Sequence, residues 1–442
     1  MKSIHTMKLI IFFTVTFFMC GTVYAASASD PFYLPQSDQP FEGKVDTRIG
    51  TLEFDNQYPT KESMSTILDN MDFHGATQAY LWGIPIASFA NLQYYSDKVW
   101  KFRQGELVKY TNLEQKLGIL TANATTPYIV ATVNLSETGP FVIDLPAGAI
   151  AGMVDDFWQR PVTDLGLPGP DKGKGAKYLV MPPEHKGDTP KGYSVLNSPT
   201  ANILIGIRLL DADPKKAAAL QAKVRTYALK DAANPPKNLF PEPATKYYMG
   251  PPRGMAFWER LHEILNREVV AERDRFFMAM LKRVGIEKGK PFKPTAHQKK
   301  LLEEAVFVGE AMAKANDLAK RSTEPYWKGA NWKVALGLDP TQRTKNYDQL
   351  DERAEWMYEA VTTSAGMVTT TPGVGSIYLA SYADKDGSVD LYYGPKAPKG
   401  KEKNWVQTIP GKGWWVYLRF YAPTKPYFDK SWNMGDFETM DK

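Results

Sequence analysis

Cysteine is almost missing from this chain: 442 residues contain one, Cys20, and histidine occurs only five times. One thiol cannot close an internal disulfide, so the fold must rest on packing, for which the 12 % aromatic content supplies the material. His74, His185, His262 and His297 are scattered and lack the Cys/His spacing of a zinc site. Glu259 and His262 stand at i, i+3 on an expected helix, but a di-iron bundle needs that pair twice, and the second copy is missing. No metal and no cofactor are therefore expected. Charge of one sign is also lacking: the formal net charge is +5, and Lys2 and Lys8 carry two of those charges. That balance gives no electrostatic case for a nucleic-acid partner. There is no Gly-x-Ser-x-Gly elbow, and no serine can be tied to a histidine by spacing, so nucleophilic hydrolysis has no signature here.

Long apolar runs are absent too, with one exception at the start. Lys2 and Lys8 precede Leu9 to Cys20, and the run ends in the small-residue site Val23-Tyr24-Ala25. A run of about a dozen residues falls short of the roughly 20 that cross a bilayer, which predicts a cleaved secretory signal over residues 1–25. Phe17-Phe18-Met19 lacks the small residues that lipid attachment at Cys20 would need. The expected protein is periplasmic or secreted, with no membrane span after cleavage.

The remainder reads as a β-rich multidomain α+β chain. Residues 26–212 are expected to form a β-sandwich domain with early helices. Gly50 to Asp55 alternates as an opening strand, and Thr60 is placed to cap a helix carrying Met64, Ile67, Leu68 and Met71. A second helix from His74 past Trp82 is expected to stop at Gly83 and Pro85. Short runs bounded by turn residues then predict strands at Tyr128–Val133, Phe141–Leu145, Tyr178–Met181 and Ile203–Leu210. Residues 213–366 read as a helical middle region, entered through a Pro-rich linker or wrapping loop from Pro235-Pro236 to Pro251-Pro252. Ala256 to Val284 carries an apolar stripe that includes Val269 and Phe276, divided between two helices. Thr295 caps a longer helix whose stripe is Leu301, Leu302, Ala305, Val308, Met312 and Ala315, and Tyr347 to Ala360 repeats the pattern. Residues 367–442 return to strand patterning. In the last strand, Trp414, Val416, Leu418 and Phe420 share a face expected to be core.

Several passages resemble a known family. Leu120-Thr-Ala-Asn-Ala-Thr-Thr-Pro-Tyr128, Asp156-Phe-Trp-Gln-Arg-Pro161, Gly169-Pro-Asp-Lys-Gly-Lys-Gly175 and Pro199-Thr200 resemble domain of unknown function 1254. Gly394-Pro-Lys-Ala-Pro398, Lys403-Asn-Trp405, Pro410-Gly-Lys-Gly-Trp414 and Leu418-Arg-Phe-Tyr421 resemble its usual C-terminal companion, domain of unknown function 1214. The resemblance implies an exported bacterial protein with an immunoglobulin-like β module, a helical middle and a C-terminal jelly-roll-like module. It brings no established activity. Tyr382-Ala-Asp384 joins Asp386-Gly-Ser-Val-Asp390 where the family carries further strands, so the last module reads as shortened by a deletion.

The densest polar loop runs from Asp155 to Tyr178. Asp156, Trp158, Arg160, Asp164, Asp171, Lys174 and Tyr178 offer carboxylates, a guanidinium fork and flat rings among glycines, the mixture that polyhydroxylated or anionic ligands require. Asn123, Thr125 and Tyr128 add an amide and hydroxyls at a strand entry. The competing reading is a glycine-rich reversal whose polar side chains satisfy their own backbone. Gly169 to Lys174 is no phosphate loop, because a strand and not a helix follows it. The expected activity is binding of a polar ligand such as a carbohydrate. The alternatives are a glycan-active lyase or hydrolase and an assembly protein forming a homo-oligomer.

Overall fold

The structure, a computed structural model, describes residues 42–123, 126–321, 323–368, 385–414, 416, 418 and 424–440. The expected leader, Thr125 and the Tyr382–Asp384 side of the proposed deletion lie outside the described residues. The chain divides into two units, residues 1–69 and 70–442.

In the first unit β1 (Gly43–Thr47) and β2 (Gly50–Asp55) pair antiparallel with Val45 opposite Leu52, and β3 (Tyr58–Pro59) extends the ladder. The alternating Thr51, Glu53 and Asp55 face solvent while Leu52 is buried, as a one-sided strand requires. At the expected cap, the Ser63 N–H donates to Thr60 Oγ1 at 3.4 Å.

Helix α1 runs unbroken from Lys61 to Tyr94, with Pro85 inside it. The expected stop at Gly83 and Pro85 is therefore corrected. A mid-helix proline costs about 3 kcal/mol, but Ala76, Ala79, Tyr80, Leu81, Trp82, Ile84, Ile86, Ala87 and Phe89 are all buried, so packing on every side outweighs it. Gly83 is there for closeness: a Cβ on it would stand 3.1 Å from Leu261 Cδ2. The helix ends in a π-helical turn, Tyr95–Val99.

Beyond it come β4 (Val108–Tyr110), α2 (Leu113–Lys116), β5 (Tyr128–Asn134), α3 (Leu135–Thr138), β6 (Phe141–Leu145), β7 (Ile150–Asp156), β8 (Pro161–Gly166), β9 (Ala176–Met181), β10 (Ser194–Asn197), β11 (Asn202–Leu209), α4 (Pro214–Gln221) and β12 (Arg225–Ala228). They form a sheet ordered β4-β5-β11-β7-β8 and another ordered β10-β9-β6-β12. Only β9 and β10 pair parallel within these two sheets. Side-chain alternation builds the core between them: Ile203, Ile205, Ile207 and Leu209 of β11 meet Phe141, Ile143 and Tyr178. Leu204, on the other face of β11, joins the core shared with the helices. Strands β7 and β8 escaped the sequence reading because glycine, aspartate and proline interrupt their apolar pattern, and β4, β10 and β12 because three or four residues are too few to show an alternation. β12 pairs with β6, so the sheet continues past residue 212 into the region read as helical.

The helical part consists of α5 (Met255–Arg267), α6 (Arg275–Arg283), α7 (Ala296–Ala319) and α8 (Leu350–Val368). Thr295 caps α7 through a reciprocal bond with Gln298, as its sequence signals. The expected stripe of α7 holds at Leu301, Leu302 and Ala305, then turns: Val306, Gly309 and Ala313 are buried, whereas Met312 and Ala315 are exposed. Gly309 sets that turn, since a Cβ there would stand 2.4 Å from the Tyr80 ring. Val269 and Phe276 are likewise exposed, not core; Val269 lies past the end of α5, and Phe276 sits on the outer face of α6. The Pro-rich passage wraps and does not link: the Lys109 N–H donates to Pro241 O at 2.7 Å and the Met249 N–H to Gly118 O at 2.9 Å.

At the end, β13 (Tyr392–Gly394) pairs parallel with β14 (Trp405–Gln407), and α9 (Lys425–Phe428) follows. Among the described residues of the expected last strand, Trp414, Val416 and Leu418 are not in a strand, and Trp414 and Leu418 are exposed. Two paired strands offer too little surface to bury that face. Trp414 stacks instead on Tyr393, with centroids 5.0 Å apart. Among the described residues no helix is long and apolar enough to cross a membrane.

Candidate functional site

The residues singled out from sequence separate into three clusters. Asp171 turns inward: its Oδ1 accepts the Gly166 N–H at 2.8 Å and the Tyr178 O–H at 2.6 Å, and its Oδ2 accepts the Gly175 N–H at 3.3 Å. Gly166 and Gly175 hold φ of 74° and 80°, which only glycine adopts without strain. Burial, then the Asp171 carboxylate, push the Tyr178 phenol far above its usual range. Asp164 and Lys174 are exposed and outside this closure.

A second cluster is Asn123, whose Oδ1 accepts both the N–H and the O–H of Thr126, at 2.8 and 2.9 Å. Its own N–H donates to the Tyr128 hydroxyl at 2.9 Å.

The third cluster follows β7. Asp156 Oδ1 accepts the N–H groups of Trp158 and Arg160 at 2.8 and 3.0 Å, and Oδ2 accepts Arg160 Nε at 2.7 Å. Trp158 is buried against Trp82, centroids 4.8 Å apart, and beneath the Arg353 guanidinium at 4.9 Å. This cluster and the Asp171 cluster lie near opposite ends of β7, about 20 Å of extended chain apart. Asp156, Trp158 and Arg160 are brought together, but not with Asp171 and Tyr178, and the residues in each cluster bond chiefly to one another. Asp155, beside Asp156, is buried too; burial first, then the charges of Asp156 and Asp164, raise its carboxyl to about 7.

A hollow does exist elsewhere. A cavity of about 380 Å³ is lined by Tyr248, Pro251, Pro252, Arg253, Glu310 and Tyr358. The Pro-rich loop supplies the first four, α7 gives Glu310, and α8 gives Tyr358. Arg253 holds Glu310 with two parallel bonds, Nε to Oε2 at 2.9 Å and Nη2 to Oε1 at 2.6 Å, while Lys314 one turn on reaches Glu310 Oε1 at 2.5 Å. Burial works against the charge of Glu310, but Arg253 and Lys314 prevail and hold its pKa below the usual carboxylate value. Behind the wall, the Tyr358 and Tyr80 hydroxyls bond at 2.7 Å. Two phenols carry two protons and that bond uses one. Burial, then the charge of Glu310, raise the Tyr248 phenol to about 12.

Sequence reasoning missed this set by treating Tyr248 to Arg253 as connecting chain. Two signals were present: paired tyrosines and an arginine among the prolines, and Glu310 and Lys314 at i, i+4 on a helix. A second hollow, about 550 Å³, has Glu259, Phe292, Lys293, Lys299 and Glu303 in its wall. His262 Nε2 lies 2.8 Å from Lys290 O. Among the described residues, no group of three or more His, Cys, Asp or Glu is placed to hold a metal ion.

Residues 106–228 match the family "Protein of unknown function (DUF1254)", and residues 322–425 match "Protein of unknown function (DUF1214)". No curated protein matches the sequence. Among solved structures, the chain is similar to the VPA0106 protein from Vibrio parahaemolyticus, at 16 % identity and a TM-score of 0.47 over 65 % of this chain and 67 % of that one. Trp158 and Arg160 lie in the first matched region and Tyr358 in the second, while Tyr248, Arg253 and Glu310 lie between the two.

Proposed function

We propose that this chain, which belongs to the proteins joining a DUF1254 domain to a DUF1214 domain in that order, is an exported binder of a polar, polyhydroxylated ligand such as a carbohydrate. The cavity behind Tyr248 and Arg253 is its site. One observation carries the reading: a hollow of about 380 Å³ combines proline faces with the phenols of Tyr248 and Tyr358 and a fixed Arg253–Glu310 ion pair. A sugar presents the matching surfaces, with C–H groups to pack on rings and paired hydroxyls to bridge a carboxylate and a guanidinium. Export rests on the Lys2 to Ala25 segment. In the same reading the two packed sheets form an immunoglobulin-like module, and the C-terminal part is a reduced jelly-roll-like one.

The test is a thermal-shift titration of the full chain with neutral hexoses and hexuronates. A ligand at 100 times its Kd adds about 2.7 kcal/mol to stability, a rise of about 2–5 °C. Arg253→Ala, at a side chain 77 % exposed, keeps the fold and should abolish the rise. A flat response to the whole panel refutes the reading. The glycan-cleaving alternative would use Asp156 or Asp164 as its carboxylate; Asp156 already accepts from Trp158 and Arg160, while Asp164 is exposed. Assembly is favoured by a different observation, the exposed Trp414, Trp432, Phe428 and Phe437 near the C-terminus. Light scattering of the Trp414→Ala, Phe437→Ala variant decides it, an unchanged mass counting against assembly.

A further inference from the structure

The surroundings of Trp158 hold an imbalance that the proposed cavity does not explain. Arg353 is 4 % exposed, stacks on the Trp158 ring and donates one bond, from Nη2 to Trp82 O. Among the described residues Arg353 makes no ion pair, and its Nε has no hydrogen-bond partner. A buried guanidinium without a carboxylate is costly, because water and counter-charge are both withdrawn from it. More positive charge surrounds it. Asp274 and, more weakly, Asp156 act favourably on Arg353 from a distance, Arg273 and Arg160 act against it, and Arg343 acts against Arg273.

Three carboxylates answer these four guanidiniums, and each is already engaged. Asp156 pairs with Arg160, and Asp348 pairs with Arg273 at 2.8 Å and Arg343 at 3.3 Å. Asp274 Oδ1 accepts the Trp82 indole N–H at 2.9 Å. Asp155 stands apart from this set, because the charges that act on it are those of Asp156 and Asp164. The cluster is therefore left with one uncompensated positive charge. Beside it is an unmet acceptor: Gln342 Nε2 donates to Trp158 O at 2.6 Å, while Gln342 Oε1 is buried and has no partner among the described residues. Gln342 and Gln159, on the two segments that meet here, both hold left-handed backbone, at φ of 56° and 61°. Such conformations persist where the surroundings over-determine them.

We propose that this arginine-lined site binds a small hydroxycarboxylate. The carboxylate supplies the missing negative charge and accepts from the planar guanidinium donors, and the neighbouring hydroxyl donates to Gln342 Oε1. Trp158 and Arg353 form its floor. Arg160 and Arg273, with side chains 18 % and 11 % exposed, stand toward solvent, and the half-exposed Arg343 stands outside them. The ligand class follows from the two unmet needs together: a halide meets only the charge, and a neutral diol meets only the acceptor.

Three matched probes separate these contributions on the full chain: glycolate, acetate and ethylene glycol, each compared with sodium chloride at equal ionic strength. Glycolate should raise the melting temperature saturably, acetate at least tenfold more weakly in apparent affinity, and ethylene glycol and chloride not at all. Arg273→Gln should weaken glycolate at least tenfold, and Gln342→Glu, which sets a second negative charge against the ligand, should do the same. Should either variant fail to fold, Arg343→Gln, at an exposed side chain, gives a third reading through a several-fold loss. Tyr248→Ala should leave the glycolate response unchanged, so this site and the cavity proposed for sugars can fail separately. A glycolate response no larger than that to chloride overturns the proposal.

Discussion

Asp155→Asn should stabilise this protein in alkaline solution and do little in acid. Asp155 is 8 % exposed on the helix-facing side of β7, level with Leu204, and burial first, then Asp156 and Asp164, lift its carboxyl from 3.8 to about 7. The raised value fixes the sign. Between pH 4 and 7 the folded chain keeps a proton that the unfolded chain has released, so the contribution of this group to stability is fully present below 3.8 and lost as pH rises to about 7. That rise of the carboxyl corresponds to a loss on the order of 4 kcal/mol by pH 8. Asparagine copies the shape of the protonated acid and cannot ionise. Urea unfolding at pH 5, 6, 7 and 8 should therefore show the advantage of the variant over the parent widening from about 1.5 kcal/mol at pH 5 to about 4 kcal/mol at pH 8. Some pH dependence must survive, because Glu359 is also raised, by burial and by its bond with Asp317, within reach of Lys320. A stability difference between variant and parent that is the same at pH 5 and pH 8 refutes the reasoning.

Gly309→Ala should destabilise by about 1–3 kcal/mol, since the new methyl would meet the Tyr80 ring at 2.4 Å and force α7 outward; chemical denaturation measures it, and a neutral result would show that the helix moves freely there. Asp171→Ala strips acceptors from two backbone N–H groups and the Tyr178 hydroxyl and should cost about 2–4 kcal/mol without changing ligand response. Equal stability of that variant would show the loop to be held by its glycines alone. Expression of residues 1–442 in a bacterial host should give a product beginning at Ala26, recovered outside the cytoplasm. Intact Lys2 to Ala25 on the cytoplasmic product, read by mass spectrometry, would count against export.

How much of this architecture could be read from the chain depended on whether local pattern and tertiary burden agreed. In β11 and in the first half of α7 they agree: Ile203, Ile205 and Ile207 alternate into one core, and Leu301, Leu302 and Ala305 fall on one face. In α1 they conflict. Gly83 and Pro85 signal an end, but a helix buried on all sides draws enough packing to pass through both, and no spacing rule contains that sum. In β7, Asp155 and Asp156 hide a strand whose two ends are buried on both faces, with Met153 exposed between them. The same mismatch decided what could be read of the sites. A polar, glycine-rich loop looks like a binding surface because its side chains carry functional groups, yet Asp171 spends its acceptors on Gly166, Gly175 and Tyr178. The proline-rich stretch looks inert because its composition lacks helix and strand signals, yet the Asn91 side-chain amide pins it by donating to Tyr248 O at 2.8 Å. That anchor holds the chain where Tyr248 and Arg253 meet Glu310. Residues with open hydrogen-bonding capacity, and not residues with functional groups, mark where a ligand can enter, and that capacity is settled only once the chain has folded on itself.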